Sequence, residues 1–286
     1  NMTQATSAQW GNTAPTASSF TVDNDNATNG NTFTYVAYVF AGGASTAATA
    51  RSIYLFGNND IRLTLGSTSD VTMGTGDFTV ECWVNVDSVA SEGIFQISST
   101  SGGFDTSQEN TVTAYFGSQG TFKFAANGST HNTSIKPTIG AWHHVALVRN
   151  SGTTSLYVDG TRAGSNTDST NYSGTYLVIG GSYSTTYCLD GHISNFRIVK
   201  GTAVYTSSFK PPTAPLTSIT NTKLLCCNNS STTGSTTIPS GISLTNEGFG
   251  SNVPTASSDS PFDDPAGFVF GNKKEGIIKC GSYVGN

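Results

Sequence analysis

The feature that most constrains the fold is a succession of short segments in which apolar and polar residues alternate, with Gly, Asn, Asp and Pro between them. Residues 78–86 are the clearest case, because every second side chain from Phe78 onward is apolar. The pair Asp159-Gly160 joins two further segments, and this dipeptide is the strongest short-range signal of a β-hairpin. No stretch repeats apolar residues at helical spacing over several turns. Roughly a dozen predicted strands therefore indicate an all-β jelly roll or sandwich.

Charged residues are scarce, and this limits the classes of partner. Asp, Glu, Lys and Arg make up 11% of the chain, against about 25% in an ordinary soluble domain. The net charge is -5 and the isoelectric point is near 5.2, whereas phosphate binding needs clustered Lys and Arg. No apolar run is long enough to cross a bilayer. We therefore expect neither a nucleic-acid partner nor a membrane span.

The five cysteines predict buried free thiols. They are Cys82, Cys188, Cys226, Cys227 and Cys280. No C-x-x-C pair is present, so a structural zinc site is not expected. An odd number of thiols without a disulfide framework suits a protein that folds in a reducing cytoplasm and is released later.

Two changes in composition predict three regions. Residues 1–43 are polar and turn-rich and finish on a strand-like segment, so they are expected to end a flanking β domain. A linker of small residues then leads into the main sandwich, residues 44–262. Pro and Asp mark a second boundary, so residues 263–286 are expected to begin a following β domain. The chain is predicted to be a piece of a longer polypeptide.

Four short motifs, in sequence order, resemble the laminin-G-like branch of the concanavalin A-like lectin/glucanase superfamily. They lie at residues 74–84, 142–146, 156–160 and 191–198. Residues 201–216, with three prolines, resemble the version of this domain found in structural proteins of marine tailed phages. The resemblance implies a jelly-roll β-sandwich of two antiparallel sheets with short flanking β segments.

The resemblance also implies a role. We expect a non-catalytic module of a virion surface or fibre protein that serves adhesion or glycan recognition on the host surface. Its partners would be other virion subunits, as a homo-oligomer, and host surface polysaccharide. Its place would be the virion surface, after assembly in the host cytoplasm. The alternative is a purely structural unit that decorates a capsid or builds a fibre.

Glycoside hydrolases share this fold, so catalysis has to be weighed. They need two carboxylates facing each other across the scissile bond. None of the five glutamates has an acidic residue two positions further on within a predicted strand; they are Glu81, Glu92, Glu109, Glu247 and Glu275. The sequence therefore predicts a protein that is not an enzyme, and a depolymerase is the distant alternative.

A carbohydrate site is expected on the outward face of the strand that carries Cys82. Trp83 and Asn85 point away from the apolar face, and Tyr115 is expected on a neighbouring strand. An exposed aromatic ring beside an amide suits sugar stacking. The competing interpretation is that Trp83 packs beneath a loop as part of the core.

Calcium is the expected metal, because many relatives hold it near the rim of a sheet through carboxylates and carbonyls. Asp60, in the first turn, and Asp190, before Gly191, are the candidate ligands. The paired acids that relatives carry in the last strand are replaced here by Ser194-Asn195, which removes charge from this site.

Two further residues are predicted to serve the fold. Arg197, on the last long strand, is expected to pair with a carboxylate, with Glu81 as the candidate. His143 and His144 are adjacent and so point to opposite faces of a strand, which excludes a shared metal. His144 is expected to be a hydrogen-bonded structural histidine.

Overall fold

The structure is a computed structural model. It describes residues 52–57, 61–99, 111–181, 187–248 and 252–262, together with the backbone of 34–40 and 278–284. The chain divides into two compact units, Ser45–Asp264 and the pair of flanks Asn1–Ala44 and Pro265–Asn286. Across the described ranges, no helix has the length and apolarity to cross a membrane.

In the described part of the chain, the secondary structure consists of strands and one short 3₁₀ turn, Ser69–Val71. In chain order the strands are β1 (Thr34–Phe40), β2 (Ser52–Phe56), β3 (Arg62–Leu65), β4 (Phe78–Val86), β5 (Glu92–Ser98), β6 (Val112–Phe116), β7 (Phe122–Ala126), β8 (Ser129–Asn132), β9 (Trp142–Asn150), β10 (Thr153–Val158), β11 (Thr161–Thr167), β12 (Tyr176–Ile179), β13 (Asp190–Lys200), β14 (Thr222–Cys226), β15 (Ser235–Thr237), β16 (Leu244–Glu247), β17 (Thr255–Ser257) and β18 (Ile278–Val284).

Two antiparallel sheets build the larger unit, as the sequence predicts. The main sheet has nine strands, in the order β11-β10-β9-β4-β13-β14-β15, with β2 pairing with β13 and β17 pairing with β2. The second sheet has seven strands, in the order β16-β3-β12-β5-β6-β7-β8. The inward side chains of both sheets form one apolar core, in which Phe78, Phe95 and Phe196 are fully buried. The predicted jelly-roll β-sandwich of two antiparallel sheets is confirmed.

Asn195 marks the point where β13 changes partner. The strand pairs with β2 through residue 194 and with β14 from Phe196 onward. Asn195 has a positive φ of 52°, a conformation that asparagine tolerates better than most residues. Its side-chain oxygen accepts a hydrogen bond from the backbone N–H of Leu216 at 2.8 Å. One residue therefore ends one strand pairing and fixes the segment that crosses the sheet.

Residues 201–216, here called the strap, lie over the outer face of the main sheet. Tyr205 and Phe209 stack in parallel, with ring centroids 3.6 Å apart, and pack on a small apolar cluster that includes Tyr157. The backbone N–H of Phe209 donates to the carbonyl of Gly160 at 2.9 Å. Gly160 has a φ of +75°, and a Cβ there would overlap the Phe209 carbonyl oxygen. The predicted strap over the surface is confirmed, and the hairpin glycine is what admits it.

Four of the five cysteines can be placed, and all four are buried and outside any disulfide: Cys82, Cys188, Cys226 and Cys227. The Sγ atoms of Cys226 and Cys227 are 3.6 Å apart. Burial raises the pKa of the Cys82 thiol well above its usual value, so this group is inert as a nucleophile at neutral pH. The side chain of Cys280 lies outside the described residues.

The unit made of the two flanks contains an antiparallel pair of strands. β1 pairs with β18 in a register that runs from Thr34 opposite Val284 to Phe40 opposite Ile278. Strands from both flanks therefore share one small sheet. The domain boundaries proposed from the sequence stay a prediction.

Candidate functional site

A cross-strand row of polar and aromatic side chains crosses the outer face of the main sheet. His192 on β13 stands opposite Tyr54 on β2 and opposite Asn85 on β4, and Asn85 stands opposite Trp142 on β9. Side chains at opposed positions of antiparallel strands share one face. The ring of His192 lies 4.6 Å from that of Tyr54 and 6.0 Å from that of Trp142, centroid to centroid. The sheet register thus aligns an amide, an imidazole and two larger aromatic rings.

An open cleft of about 490 Å³ borders this row. Its lining includes Tyr54, His192 and Asp87 on one side and residues 255–258 on the other. The second wall exists because β17 pairs with β2, with Thr255 opposite Tyr54. Two serines and a threonine there add hydroxyl groups. Small-ligand sites are typically about 300–1,000 Å³ and combine apolar rings with a few polar groups, so the cleft has the size and lining for a short sugar.

Trp83 and Asn85, predicted as sugar-binding residues, lie on this same outer face. Trp83 is half-buried between His144 and Phe262. Its ring centroid lies 5.2 Å from that of His144 and 5.7 Å from that of Phe262. Asn85 is 7% exposed and sits within the row. Both residues adjoin the cleft rather than line it. The structure brings these two together and adds Tyr54, which the sequence did not indicate.

Tyr115 is in a different place from the one expected. It lies on β6, which pairs with β5 and β7 in the second sheet, so it is not on a strand next to Trp83. Its hydroxyl donates to the side-chain oxygen of Thr130 at 3.4 Å. The expectation failed because the chain crosses to the other sheet between β4 and β5.

Three buried polar atoms on the outer face have no hydrogen-bond partner among the residues that the structure describes. They are Nε1 of Trp83, Oδ1 of Asn85 and Nδ1 of His192. Leaving a buried donor or acceptor unpaired costs about 1–3 kcal/mol, and native proteins pair nearly all such groups with protein or water. These three atoms lie within the face that borders the cleft.

The charges around the cleft are negative. Burial, followed by a hydrogen bond to Asp87 and the charge of that residue, raises the pKa of the Tyr54 hydroxyl. Burial lowers the pKa of His192, although Asp259 and Asp87 act in the opposite direction. Trp142 Nε1 donates to Oδ1 of Asp259 at 3.4 Å. The site therefore combines aromatic donors with the two aspartates Asp87 and Asp259.

Asp190, a predicted calcium ligand, lies at the rim beside Glu92. Its Oδ2 accepts from the hydroxyl of Ser88 at 3.1 Å, and that hydroxyl is 3.4 Å from Glu92 Oε1. Burial, with a further contribution from the charge of Asp190, raises the pKa of Glu92 to about 7. Asp60 lies outside the described residues. Within the described ranges, no group of three or more His, Cys, Asp or Glu side chains is placed to hold a metal ion.

Two carboxylates fall short of the roughly six to eight oxygens that a calcium ion takes. The described residues therefore do not form a calcium shell by themselves. Calcium binding stays a prediction that depends on Asp60.

A second polar cluster lies beneath the strap and is closed to solvent. Glu81 is fully buried; its Oε1 accepts from Nε and Nη2 of Arg197 at 2.9 and 2.6 Å. Its Oε2 accepts from Nε2 of His144 at 3.1 Å and from the Tyr205 hydroxyl at 2.8 Å. Burial acts to raise the pKa of Glu81, but the His144 hydrogen bond and the Arg197 charge outweigh it and lower the pKa. The predicted Glu81–Arg197 pair and the structural role of His144 are confirmed.

His143 and His144 point to opposite sides of β9, as predicted. Nδ1 of His143 lies 2.7 Å from Oδ2 of Asp159, and its ring approaches Phe122 of the second sheet. His144 contacts Glu81 and Trp83 on the outer face. The two histidines therefore belong to separate structural contacts.

A family model described as the Concanavalin A-like lectin/glucanases superfamily matches residues 57–204. Similar solved structures include a SAP-like pentraxin from Limulus polyphemus, with 20% identity over 56% of this chain and 79% of that chain and a TM-score of 0.44. A provisionally named carbohydrate binding protein from Bacteroides ovatus has 15% identity over 73% of this chain and 60% of that chain, with a TM-score of 0.49.

Domains LG4-5 of the mouse laminin alpha1 chain have 16% identity over 56% of this chain and 45% of that chain, with a TM-score of 0.38. No curated protein sequence matches the chain. The family match covers more than half of the residues and contains the four motifs up to residue 198. The chain therefore belongs to the concanavalin A-like lectin/glucanase superfamily.

Proposed function

We propose that this protein is a carbohydrate-binding module and that the cleft on the outer face of its main sheet holds the sugar. One observation carries the proposal: the rings of Tyr54 and His192 line the same open cleft as the hydroxyl groups of residues 255, 257 and 258. A sugar presents both apolar C–H faces and hydroxyl groups. Aromatic rings can pack against the C–H faces, and the polar groups of the lining can hydrogen-bond the sugar hydroxyl groups.

The lining favours binding over hydrolysis. Among the described residues that line the cleft, Asp87 is the one carboxylate. Glycoside hydrolysis needs a pair of carboxyl groups, about 5–9.5 Å apart depending on stereochemistry. Glu81, the most buried acid of the outer face, has both oxygens occupied by donors beneath the strap. A binding module without acid–base chemistry is the function that this arrangement supports best.

A glycan array followed by calorimetry tests the proposal. The matched variants are His192→Ala, at the cleft, and His131→Ala, on β8 of the second sheet. Removing the His192 ring eliminates a ring contact and a hydrogen-bonding atom, so affinity for an array-positive sugar should fall about tenfold or more. His131→Ala should bind like the wild type. An array without a binder above background, or equal affinities for wild type and His192→Ala, would refute the proposal.

We further propose, on the resemblance of residues 201–216, that the module is displayed at a virion surface with other copies of itself and meets host polysaccharide there. Immunogold labelling of intact particles tests this. Gold on the particle surface is the expected result, and particles that lack the chain would contradict it.

A further inference from the structure

Among the described residues, two carboxylates beside the cleft, Asp87 and Asp259, have no cationic partner, unlike Glu81 and Asp70. Glu81 pairs with Arg197 at 2.6 Å, and Asp70 pairs with Lys223 at 3.2 Å. Asp87 instead lies beside the Tyr54 hydroxyl and raises the pKa of that group.

Oδ1 of Asp259 accepts a hydrogen bond from the indole Nε1 of Trp142. In the part of the chain that the structure describes, no Lys or Arg lines the cleft, and neither Asp87 nor Asp259 forms an ion pair. The cleft is therefore negative and uncompensated.

One of these carboxylates lines the cleft and the other lies next to it. Asp87 is exposed and lines the cleft next to Tyr54 and His192. Asp259 lies one residue beyond Ser258, the last residue of the opposite wall, and its charge acts on His192 together with that of Asp87. A molecule that contacts His192 is consequently close to both carboxylates.

We propose that the cleft selects its sugar by charge, with an amino sugar in its protonated form as the preferred ligand class and acidic sugars excluded. This proposal rests on the proposed function. A protonated amine would supply the cation that Asp87 and Asp259 lack, and complementary charge favours the matching partner. A uronate or sulfate would meet like charge on both sides, which disfavours the wrong partner. Neutral N-acetylated sugars would lie between these two classes.

Three oligosaccharides of equal length test the order of affinities: a glucosamine tetramer, an N-acetylglucosamine tetramer and a galacturonate tetramer. Calorimetry of the full chain at about pH 6 measures the three affinities under one condition. The glucosamine tetramer should bind about five- to tenfold more tightly than the N-acetylated one. The galacturonate tetramer should bind more weakly than both. Because exposed charges are screened by salt, the preference should shrink as ionic strength rises.

The variant Asp87→Asn removes one of the two charges without changing the size of the side chain. It should bring the glucosamine and N-acetylglucosamine tetramers to within about twofold of each other, and Asp87→Asn with Asp259→Asn should abolish the preference. Asp70→Asn is the matched control, because its carboxylate pairs with Lys223 away from the cleft. This control should keep the wild-type order. Thermal melting verifies that each variant is folded.

Two kinds of failure can be told apart. If galacturonate binds as tightly as the neutral tetramer, or the order of affinities survives in the double variant, charge selection is wrong while sugar binding stands. If none of the three tetramers binds, charge selection is also overturned. The array result with His192→Ala then decides separately whether the cleft binds another sugar.

Discussion

Replacing Arg197 by methionine strips the donors from one oxygen of a fully buried carboxylate. In the wild type, Glu81 Oε1 accepts two hydrogen bonds from Arg197, while a third Arg197 donor reaches the carbonyl of Thr217 at 2.7 Å. Methionine keeps an unbranched apolar side chain but provides no donor. The variant therefore leaves a buried negative charge supported by His144 and Tyr205 alone.

The expected loss is large because the charge has no access to water. Removing one partner of a buried ion pair costs about 3–5 kcal/mol of unfolding free energy, and Glu81 has no exposed surface. Lys223→Met is the matched control, since its pair with Asp70 joins two side chains that are each 37% exposed. Exposed pairs contribute about 0–1 kcal/mol. Urea unfolding at pH 7 should separate the two variants clearly.

A double-mutant cycle with Glu81→Met isolates the pair. Removing both charges should cost less than the sum of the single changes by about 2 kcal/mol or more. The pairing lowers the pKa of Glu81 from 4.5. The stability it provides is therefore present at pH 7 and is lost as the pH falls below 4.5 and through the folded-state value. Equal losses for Arg197→Met and Lys223→Met, or additive single changes, would refute this account of the cluster.

Three further predictions address the rim, the strap and the flanks. Burial raises the pKa of Glu92 from 4.5 to about 7. The contribution of this carboxyl group to protein stability therefore falls as the pH rises from 4.5 to 7. Glu92→Gln should add about 1–3 kcal/mol of unfolding free energy at pH 8 and little at pH 4. Gly160→Ala should cost about 2–4 kcal/mol in urea unfolding, because its Cβ would overlap the carbonyl of Phe209. Tyr38→Cys should form a disulfide with Cys280, its register partner, detectable by mass spectrometry, because opposed Cα atoms lie at about 4.5–5.5 Å.

Each of these three predictions has a result that would contradict it. A stability gain for Glu92→Gln that is equal at both pH values would show that its charge is not the cause. Gly201→Ala is the control for the strap, because Gly201 also has a positive φ, +84°, but has open space around it. Equal losses of unfolding free energy for Gly160→Ala and Gly201→Ala would mean that contact with the strap is unimportant. Failure of Tyr38→Cys to form an intramolecular disulfide under oxidising conditions would argue against the β1–β18 register.

The sheets could be predicted because their signals are local. The alternation in residues 78–86 gives the inward face of β4, and Asp159-Gly160 gives the β10–β11 hairpin. The strap could also be predicted, because its prolines cannot donate to a ladder. Glu81 and Arg197 could be matched as the opposite charges of two predicted strands.

The cleft could not be predicted in the same way. Its far wall is β17, whose sequence Thr-Ala-Ser has no apolar alternation and becomes a strand only by pairing with β2. Tyr54 and His192 meet because β2 and β13 are paired, and nothing near either residue in the sequence indicates this register. Trp83 and Asn85 do lie on the outer face, but Tyr115 faces away on the other sheet. Sites built by long-range strand pairing require the fold before they can be recognised.

Nuclear magnetic resonance of the full chain can locate the residues at which a sugar binds. Titration with an array-positive oligosaccharide should shift the backbone amide signals of β2, the first half of β13 and residues 255–258, which surround the cleft. Signals from β6 and β7 in the second sheet should stay in place. Shifts confined to the second sheet, or to residues around Tyr115, would contradict the account.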